Sequence, residues 1–362
     1  MPASERWKSR CGMIGRDRTM LRRVAICLIG SLGSVAAQDS QFHVQTKVVQ
    51  VPVTVAGKDG RNVDGLAAGD FLVLDNGVRQ EVTLDDFSTS SAPISLAIVI
   101  QTSKISTPAL AKIHRIGGMI QPLVTGQHGQ VAVATFNSRI QWVQDFTSDD
   151  DKIRSAMNSV RAGLAMQDAR MLDAVALAAG HLEQRLGRKI LLLISESRDR
   201  GSETKVSQAL EAVGREGIEV FAAHYSAYAT SLIAKPKDQT DLSAPPEFPN
   251  DPTEAPNPPP SVNFLAILSE LARMGKTNTV QALTQATGGS DYPFLKERGI
   301  ESAIEKLGVE VHSQYLLSFP QRGEPSGMHE IEVSVPSRAD LRIRSRRVYW
   351  TDPAGDAQSK TN

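Results

Sequence analysis

Cysteine is nearly absent from the 362-residue chain, and both cysteines, Cys11 and Cys27, lie close to its amino terminus. If that segment is removed, the protein has no thiol, no disulfide and no cysteine-ligated metal. Charge of one sign is also lacking, because 40 basic side chains balance 40 acidic ones. This balance argues against a nucleic-acid binder that works by neutralising phosphates. Beyond the amino-terminal segment no apolar run approaches the roughly 18 residues that cross a bilayer, so we expect no membrane span there.

The amino-terminal segment has the pattern of a leader. A short apolar run, 24–32, follows two arginines and is itself followed by small residues up to Ala37. These are the three parts of a secretory signal peptide, so we expect cleavage after Ala37 and a secreted or periplasmic protein at the cell envelope. A buried amino-terminal helix is the alternative. Translation from either Met1 or Met20 stays open.

The next part of the chain is rich in β-strand patterns. Residues 42–56 alternate between apolar and polar side chains, which predicts a half-buried strand. Two more strands are expected at 70–75 and 78–87, joined by an Asn-Gly turn at 76–77. Between 42 and 90 we therefore predict a group of paired strands.

The middle of the chain alternates buried strands with helices. Continuous apolar runs at 95–100, 189–195 and 218–224 are typical of strands covered on both faces. A further strand pair is expected at 130–136 and 140–145. Helical spacing recurs at 107–124, 149–160, 169–185, 203–216, 264–273, 279–286 and 300–311. This order predicts an α/β fold, a doubly wound and mostly parallel sheet with helices on both faces.

The carboxyl-terminal part returns to strand patterns at 312–319, 328–335 and 341–349. We expect these strands to pair with the amino-terminal ones in a small β-domain. The predicted organisation is a leader at 1–37, amino-terminal strands at 42–90, an α/β domain at 93–310 with a proline-rich insertion at 244–260, carboxyl-terminal strands at 311–350 and a disordered tail at 351–362.

Five segments follow one another in a recognisable order: VQVPVTVAGKDGRNVDGLAAGDFLVLDNG, SLAIVI, KILLLISESRDRGS, LTQATGG and HSQYLLSF. In this order they resemble the VWFA-related acidobacterial-type family, which comprises exported bacterial proteins built on a von Willebrand factor A domain. The resemblance covers about 43–350. It implies a Rossmann-like A-domain used for protein binding or adhesion, often through a divalent metal.

The resemblance also implies where such a metal site would lie. The family pattern is Asp-x-Ser-x-Ser after the first buried strand, a Thr on a second loop and an Asp after a later strand. In this chain those positions are Gln101, Ser103, Ile105, Ala169 and Glu196. Only the serine is kept, and neither isoleucine nor alanine offers a side-chain oxygen to a hard cation. We therefore predict a degenerate site with no metal and no cofactor, and weak Mg²⁺ or Ca²⁺ binding is the alternative.

Two basic residues, Lys104 and Arg198, lie beside these positions. One of them could form an ion pair with Glu196, which would give a metal-free binding surface. The alternative is that Ser103 caps the helix that follows it and that Glu196 is solvated.

Catalytic motifs are missing. The seven histidines have no metal-ligand spacing, and the chain has neither a Gly-x-Ser-x-Gly elbow nor a phosphate-binding loop. We therefore predict a non-enzymatic protein that binds a protein or another macromolecule of the envelope, with its oligomeric state left open. One alternative is an envelope hydrolase that uses Glu196 and His224. Another is a purely structural module that self-associates through its β-domain.

Overall fold

The computed structural model describes residues 48–85, 93–111, 113–163, 169–225, 264–294, 298–321 and 326–351. The predicted leader, the proline-rich insertion and the tail after 351 lie outside these residues. The described strands are β1 (Val48–Ala56), β2 (Leu72–Asp75), β3 (Val78–Gln80), β4 (Thr83–Asp85), β5 (Ile94–Gln101), β6 (Gln130–Phe136), β7 (Ile140–Thr147), β8 (Arg188–Glu196), β9 (Glu219–Tyr225), β10 (Asp291–Phe294), β11 (Tyr315–Pro320), β12 (Gly327–Ser334), β13 (Arg342–Ser345) and β14 (Val348–Thr351).

The described helices are α1 (Thr107–Leu110), α2 (Gly117–Ile120), α3 (Asp150–Ser159), α4 (Met171–Leu182), α5 (Val206–Arg215), α6 (Phe264–Thr277), α7 (Thr279–Thr287) and α8 (Arg298–Ser313). Short 3-10 turns occur at Ala68–Asp70, Lys104–Ser106 and Ile113–Ile116, and a π-helical turn occurs at Gln121–Thr125. None of the helices in the described ranges is long and apolar enough to cross a membrane.

A six-stranded central sheet has the order β10-β9-β8-β5-β6-β7. Its strands are parallel except for β7, which runs antiparallel to β6 at one edge. The central strands are continuous apolar runs because they are buried on both faces. Helices α3 and α8 and the segment around α1 and α2 cover one face, and α4 to α7 cover the other. The predicted doubly wound α/β fold is confirmed.

Strands from the two chain ends form two antiparallel sheets, with the orders β13-β1-β11-β4 and β14-β12-β2-β3. A third apolar core lies between them. The β2–β3 hairpin closes on the Asn-Gly turn, where Asn76 and Gly77 have φ angles of 49° and 78°, as a type I′ turn requires. The predicted pairing of the chain ends is confirmed, while the exact domain boundaries stay predictions.

Two predicted strands are wrong in extent, because each is divided between the two antiparallel sheets. Residues 78–87 contain β3 and β4, and residues 341–349 contain β13 and the start of β14. The second break occurs at the Arg346-Arg347 pair, where the Arg347 N–H donates to the carbonyl of Ala286 instead of to a strand. Period-two alternation continues through such a change of sheet and does not reveal it.

Three other elements of the structure differ from the sequence predictions. The pattern at 107–124 is not one helix but short α, 3-10 and π turns, since Pro108 and Pro122 lack the N–H that a regular helix needs. Helix α8 continues to Ser313, so the next strand begins at Tyr315 rather than at 312. Strand β10 was not predicted, because four residues that include Pro293 give no alternation and fit only an edge strand.

Candidate functional site at the carboxyl edge of the central sheet

Three of the five predicted site residues come together where the central parallel strands end. Gln101 is the last residue of β5, Glu196 is the last residue of the adjacent β8, and Ser103 follows β5 by two residues. All three are buried. The carboxyl edge of a doubly wound sheet is where such folds bind ligands, which makes this edge the candidate site.

Hydrogen bonds join these residues to one another. The backbone N–H of Glu196 donates to Gln101 Oε1 (2.9 Å), and Gln101 Nε2 donates to Ser103 Oγ (2.8 Å). Ser103 Oγ lies 3.4 Å from Ser106 Oγ, which accepts a hydrogen bond from the Tyr225 hydroxyl at 2.6 Å. Burial raises the pKa of Tyr225, so its hydroxyl stays protonated and able to donate. The polar side-chain atoms of Gln101, Ser103, Ser106 and Tyr225 therefore already have hydrogen-bond partners within the protein.

Ser103 does not act as a helix cap. Its hydroxyl makes no capping hydrogen bond to the turn Lys104–Ser106, and the backbone N–H of Ser106 bonds instead to the Ser103 carbonyl. The capping alternative is therefore wrong for this side chain, whose hydroxyl oxygen accepts a hydrogen bond from Gln101.

The carboxylate of Glu196 has a different environment. Its side chain is only 4% exposed, and neither oxygen has a hydrogen-bond partner among the described residues. Arg200 Nε lies 3.4 Å from Oε2, and 52% of the Arg200 side chain is exposed. Burial raises the pKa of Glu196, and the positive charge of Arg200 partly opposes that rise. Arg200 thus forms an ion pair with Glu196 that the sequence did not predict, and the positive charge of the predicted Arg198 also acts on this carboxylate.

The second predicted loop approaches the site through its backbone. Ala169 is buried, and its carbonyl accepts a hydrogen bond from the backbone N–H of Arg200 (3.0 Å). Asp199 Oδ1 accepts from the backbone N–H of Leu172 (3.1 Å), at the first turn of α4. Together these bonds fix the position of Arg200 beside Glu196.

Asp173 strengthens the same loop. Its Oδ1 accepts from the backbone N–H of Thr204 (2.8 Å), and its Oδ2 accepts from that of Glu203 (3.3 Å). Asp173 therefore faces the loop that contains Glu203 and Thr204.

A divalent cation, which the family resemblance implies, does not fit these residues. The Gln101 oxygen accepts from a backbone N–H, the Ser103 oxygen accepts from an amide, and Ile105 and Ala169 have no side-chain oxygen. The remaining carboxylate faces a guanidinium. Over the described part of the chain, no group of three or more His, Cys, Asp or Glu side chains is placed to hold a metal ion. Hard cations need several free oxygen ligands, and this arrangement does not supply them.

His224 does not belong to the candidate site. It pairs with Ser195 in the β8–β9 register, whereas Glu196 pairs with Tyr225. Successive side chains of a strand point to opposite faces, so His224 and Glu196 lie on opposite faces of the sheet. His224 Nδ1 lies 3.6 Å from Asp291 Oδ2, and burial lowers the pKa of this histidine. A hydrolytic pair of Glu196 and His224 is therefore wrong.

A groove of about 710 Å³ adjoins the site on the side of the turn that follows Ser103. Leu110, Ile113 and Val160 supply its apolar lining, and Lys104 and His114 supply polar groups. Lys104 is exposed. The sequence did not predict this groove, because its walls come from two segments that are far apart along the chain.

No family model matches the sequence, and no curated protein matches it significantly. Solved structures do match. The conserved hypothetical protein BatB from Bacteroides thetaiotaomicron is 17% identical over 60% of this chain and 99% of that chain, with a TM-score of 0.38. The vWF domain of the type V pili tip protein Mfa5 from Porphyromonas gingivalis is 16% identical over 30% of this chain and 39% of that chain, with a TM-score of 0.26.

The human COPII-coat protein Sec24c also matches, at 10% identity over 75% of this chain and 46% of that chain, with a TM-score of 0.40. Likeness at these identities and TM-scores carries no argument about function. Membership of the von Willebrand A-type family therefore stays a proposal.

Proposed function

We propose that this chain is an exported A-domain-type protein that binds a protein or another macromolecule of the cell envelope without a metal ion, and that it is not an enzyme. The carboxyl edge of the central sheet is the proposed binding surface. An acidic group of the partner is the proposed contact, and Arg200 is the residue that would receive it.

The position of Arg200 carries this proposal. In a metal-dependent A-domain a cation would join the domain's oxygen ligands to an acidic residue of the partner. Here a guanidinium lies against the buried Glu196 carboxylate and leaves about half of its side chain exposed. A guanidinium can bind a second carboxylate while it keeps the first, because its N–H groups point in several directions. A covalently attached positive charge would thus replace the metal.

The adjoining groove supports a macromolecular partner. Its apolar lining gives a surface that a peptide side chain can cover, and exposed Lys104 adds a second positive charge close to the turn that follows Ser103. An acidic residue followed by an apolar one is the partner chemistry that matches this combination. The leader at 1–37, if it directs export as predicted, would place such binding at the envelope.

Metal independence is tested by thermal unfolding of the full chain in EDTA and then with Mg²⁺, Ca²⁺ or Mn²⁺. A ligand that binds only the native state, at about a hundred times its dissociation constant, would add about 2.7 kcal/mol to the free energy of unfolding. We expect no saturable rise in Tm with any of the three ions. A saturable rise that Glu196→Gln abolishes would contradict the proposal.

Partner binding is tested in EDTA with bacterial envelope extract, comparing the wild-type chain with Arg200→Gln. Loss of a charged hydrogen bond is worth about 1.5–3 kcal/mol, so we expect captured partner to bind the variant at least about tenfold more weakly. Lys306→Gln is the matched control, because Lys306 is exposed on α8 and has no described ion pair. Capture that Arg200→Gln leaves unchanged, or that occurs only with added metal, would overturn the proposed surface.

A further inference from the structure

A second polar cavity lies at the opposite, amino-terminal edge of the central sheet. It has a volume of about 270 Å³ and is bounded by the first residues of β1, the start of β8, the end of α5 and residues around β14. Gly217 and the side chains of Arg188, Glu219, Arg346, Tyr349 and Trp350 are among its lining. It is separate from the proposed binding surface, since parallel strands place their two ends at opposite edges of the sheet.

Most charges around this cavity are paired. Arg188 Nη2 lies 2.5 Å from Glu219 Oε2, and both side chains are buried. Lys189 Nζ lies 2.9 Å from Glu216 Oε2. Arg215, the remaining basic residue of the lining apart from Arg346, lies 2.7 Å from the Glu211 carboxylate on its own helix. Each of these three basic residues of the lining therefore has a carboxylate partner, and one further basic residue of the lining remains.

That residue is Arg346, which is only 4% exposed. A guanidinium can donate up to five hydrogen bonds. The Arg346 guanidinium donates one to the described residues, from Nη2 to the Gly217 carbonyl at 2.6 Å. No carboxylate of the described residues forms an ion pair with it, and Arg346 lines the cavity. Burial lowers the pKa of Arg346 to about 10, and the neighbouring positive charge of Arg188 acts in the same direction although Glu219 opposes it. The cavity therefore carries surplus buried positive charge.

We propose that this cavity binds a small oxyanion, a phosphate or carboxylate group, with the Arg346 guanidinium as its main contact. The planar fork of an arginine matches the paired oxygens of either group. The anion would neutralise the surplus charge. It would also accept hydrogen bonds from the Arg346 N–H groups that have no partner among the described residues. Tyr349 and Trp350 form a wall against which the apolar part of a small organic anion could lie.

The size of the cavity favours a small ligand. Its volume of about 270 Å³ is slightly below the roughly 300 Å³ at which pockets for drug-sized ligands typically start. Inorganic phosphate and a short dicarboxylate are therefore the two probes, and they distinguish a phosphate group from a carboxylate group as the bound oxyanion.

The test is a titration of the full chain with inorganic phosphate and, separately, with succinate, each followed by Tm and by calorimetry. Potassium chloride at matched ionic strength is the reference. We expect a saturable rise in Tm with at least one of the two anions and none with chloride. No response of the wild-type chain to either anion would overturn the proposal.

Arg346→Gln identifies the site. We expect this variant to bind the anion at least about tenfold more weakly, as loss of a charge-assisted hydrogen bond predicts. Arg342→Gln, at an exposed position on β13 of the same segment, should bind as the wild type does. Arg346→Lys keeps the charge without the fork, so it should bind with intermediate affinity even if Arg346→Gln does not fold. An unchanged response in both Arg346 variants would assign the anion to another place and refute the site.

Discussion

The two edges of the central sheet carry buried charge of opposite sign. At the carboxyl edge a buried carboxylate, Glu196, has a half-exposed guanidinium at 3.4 Å and no hydrogen-bond donor among the described residues. At the amino edge two buried arginines, Arg188 and Arg346, lie near one buried carboxylate, Glu219, which forms its ion pair with Arg188. The first edge therefore has a negative charge that is poorly compensated inside the protein, and the second has surplus positive charge. One sheet thus has two chemically different edges, although its central strands β5 and β8 are mostly apolar between them.

The two edges also differ in what their polar groups connect. At the carboxyl edge Gln101 and Ser103 are near neighbours in sequence, and the network is local apart from Glu196 and Tyr225. At the amino edge Gln314 Nε2 donates to Glu219 Oε1 (2.6 Å) and to Thr54 Oγ1 (3.2 Å). Those bonds join the central sheet to strands from both chain ends. We infer that the amino edge contributes more to the stability of the fold and the carboxyl edge more to binding.

The largest expected effect is that of Glu219→Ala. This change leaves the buried Arg188 guanidinium without its carboxylate and removes the negative charge near the buried Arg346. Removal of one partner of a buried ion pair typically costs about 3–5 kcal/mol. Urea unfolding monitored by circular dichroism measures the loss. Glu216→Ala is the control, because its partner Lys189 is less buried and such pairs contribute about 1 kcal/mol or less. Equal losses of stability in the two variants would contradict the inference that the buried charges of the amino edge stabilise the fold.

A medium effect is expected for Gly214→Ala, on the wall of the amino-edge cavity. A Cβ atom at this position would collide with the Trp350 ring, so the ring or helix α5 must shift, at about 1–3 kcal/mol. Gly180→Ala is the matched control on α4, where nothing lies within 4 Å of the new methyl group. Alanine favours helix over glycine, so that control should gain up to about 1 kcal/mol. A gain at both positions would show that Trp350 does not pack against α5.

The smallest expected effect is that of Glu196→Gln at the carboxyl edge. Burial raises the pKa of Glu196 above its ordinary 4.5, so the folded protein binds this proton more tightly than the unfolded chain does. Stability is therefore lost as the pH rises from about 4.5 through the raised pKa. Glutamine removes the ionisation, and we expect a gain of about 1 kcal/mol at neutral pH that disappears in acid.

Chemical unfolding of wild type and Glu196→Gln across the pH range measures that difference. Glu203→Gln, whose side chain is 83% exposed in the adjoining loop, should change stability by about 0.5 kcal/mol or less at every pH. If Glu196→Gln is instead less stable than wild type at neutral pH, the ion pair with Arg200 outweighs the cost of burying the carboxylate.

The central sheet was predictable because its signal is local and strong. The runs at 95–100, 189–195 and 218–224 are continuous and apolar, and only a strand buried on both faces requires that. The family resemblance implied that Gln101 and Glu196 belong to one site, and the structure brings them together because β5 and β8 are neighbouring parallel strands. The role of Arg200 was not predictable. Its position depends on hydrogen bonds that bring the loop after β8 against Ala169 and Leu172.

The strands at the chain ends show a similar limit. Their alternation indicated that they exist and have one buried face, but it did not show where β3 gives way to β4 or β13 to β14. A change of sheet alters the hydrogen-bond partner of a strand and leaves its side-chain period unchanged. The partner is set by contacts with distant residues, such as the backbone bond from Arg347 to Ala286.

The sequence by itself determined the α/β class and the pairing of the two chain ends, because periodicity is a property of adjacent residues. The family resemblance, rather than periodicity, implied that oxygen ligands are missing at Ile105 and Ala169. Only the tertiary structure decided which charges meet. Arg200 lies against Glu196 across a folded loop, and Arg346 lies beside Arg188 and Glu219 from a different part of the chain. Electrostatic energy depends on distance and burial in space, and neither quantity is encoded in the separation of residues along the sequence.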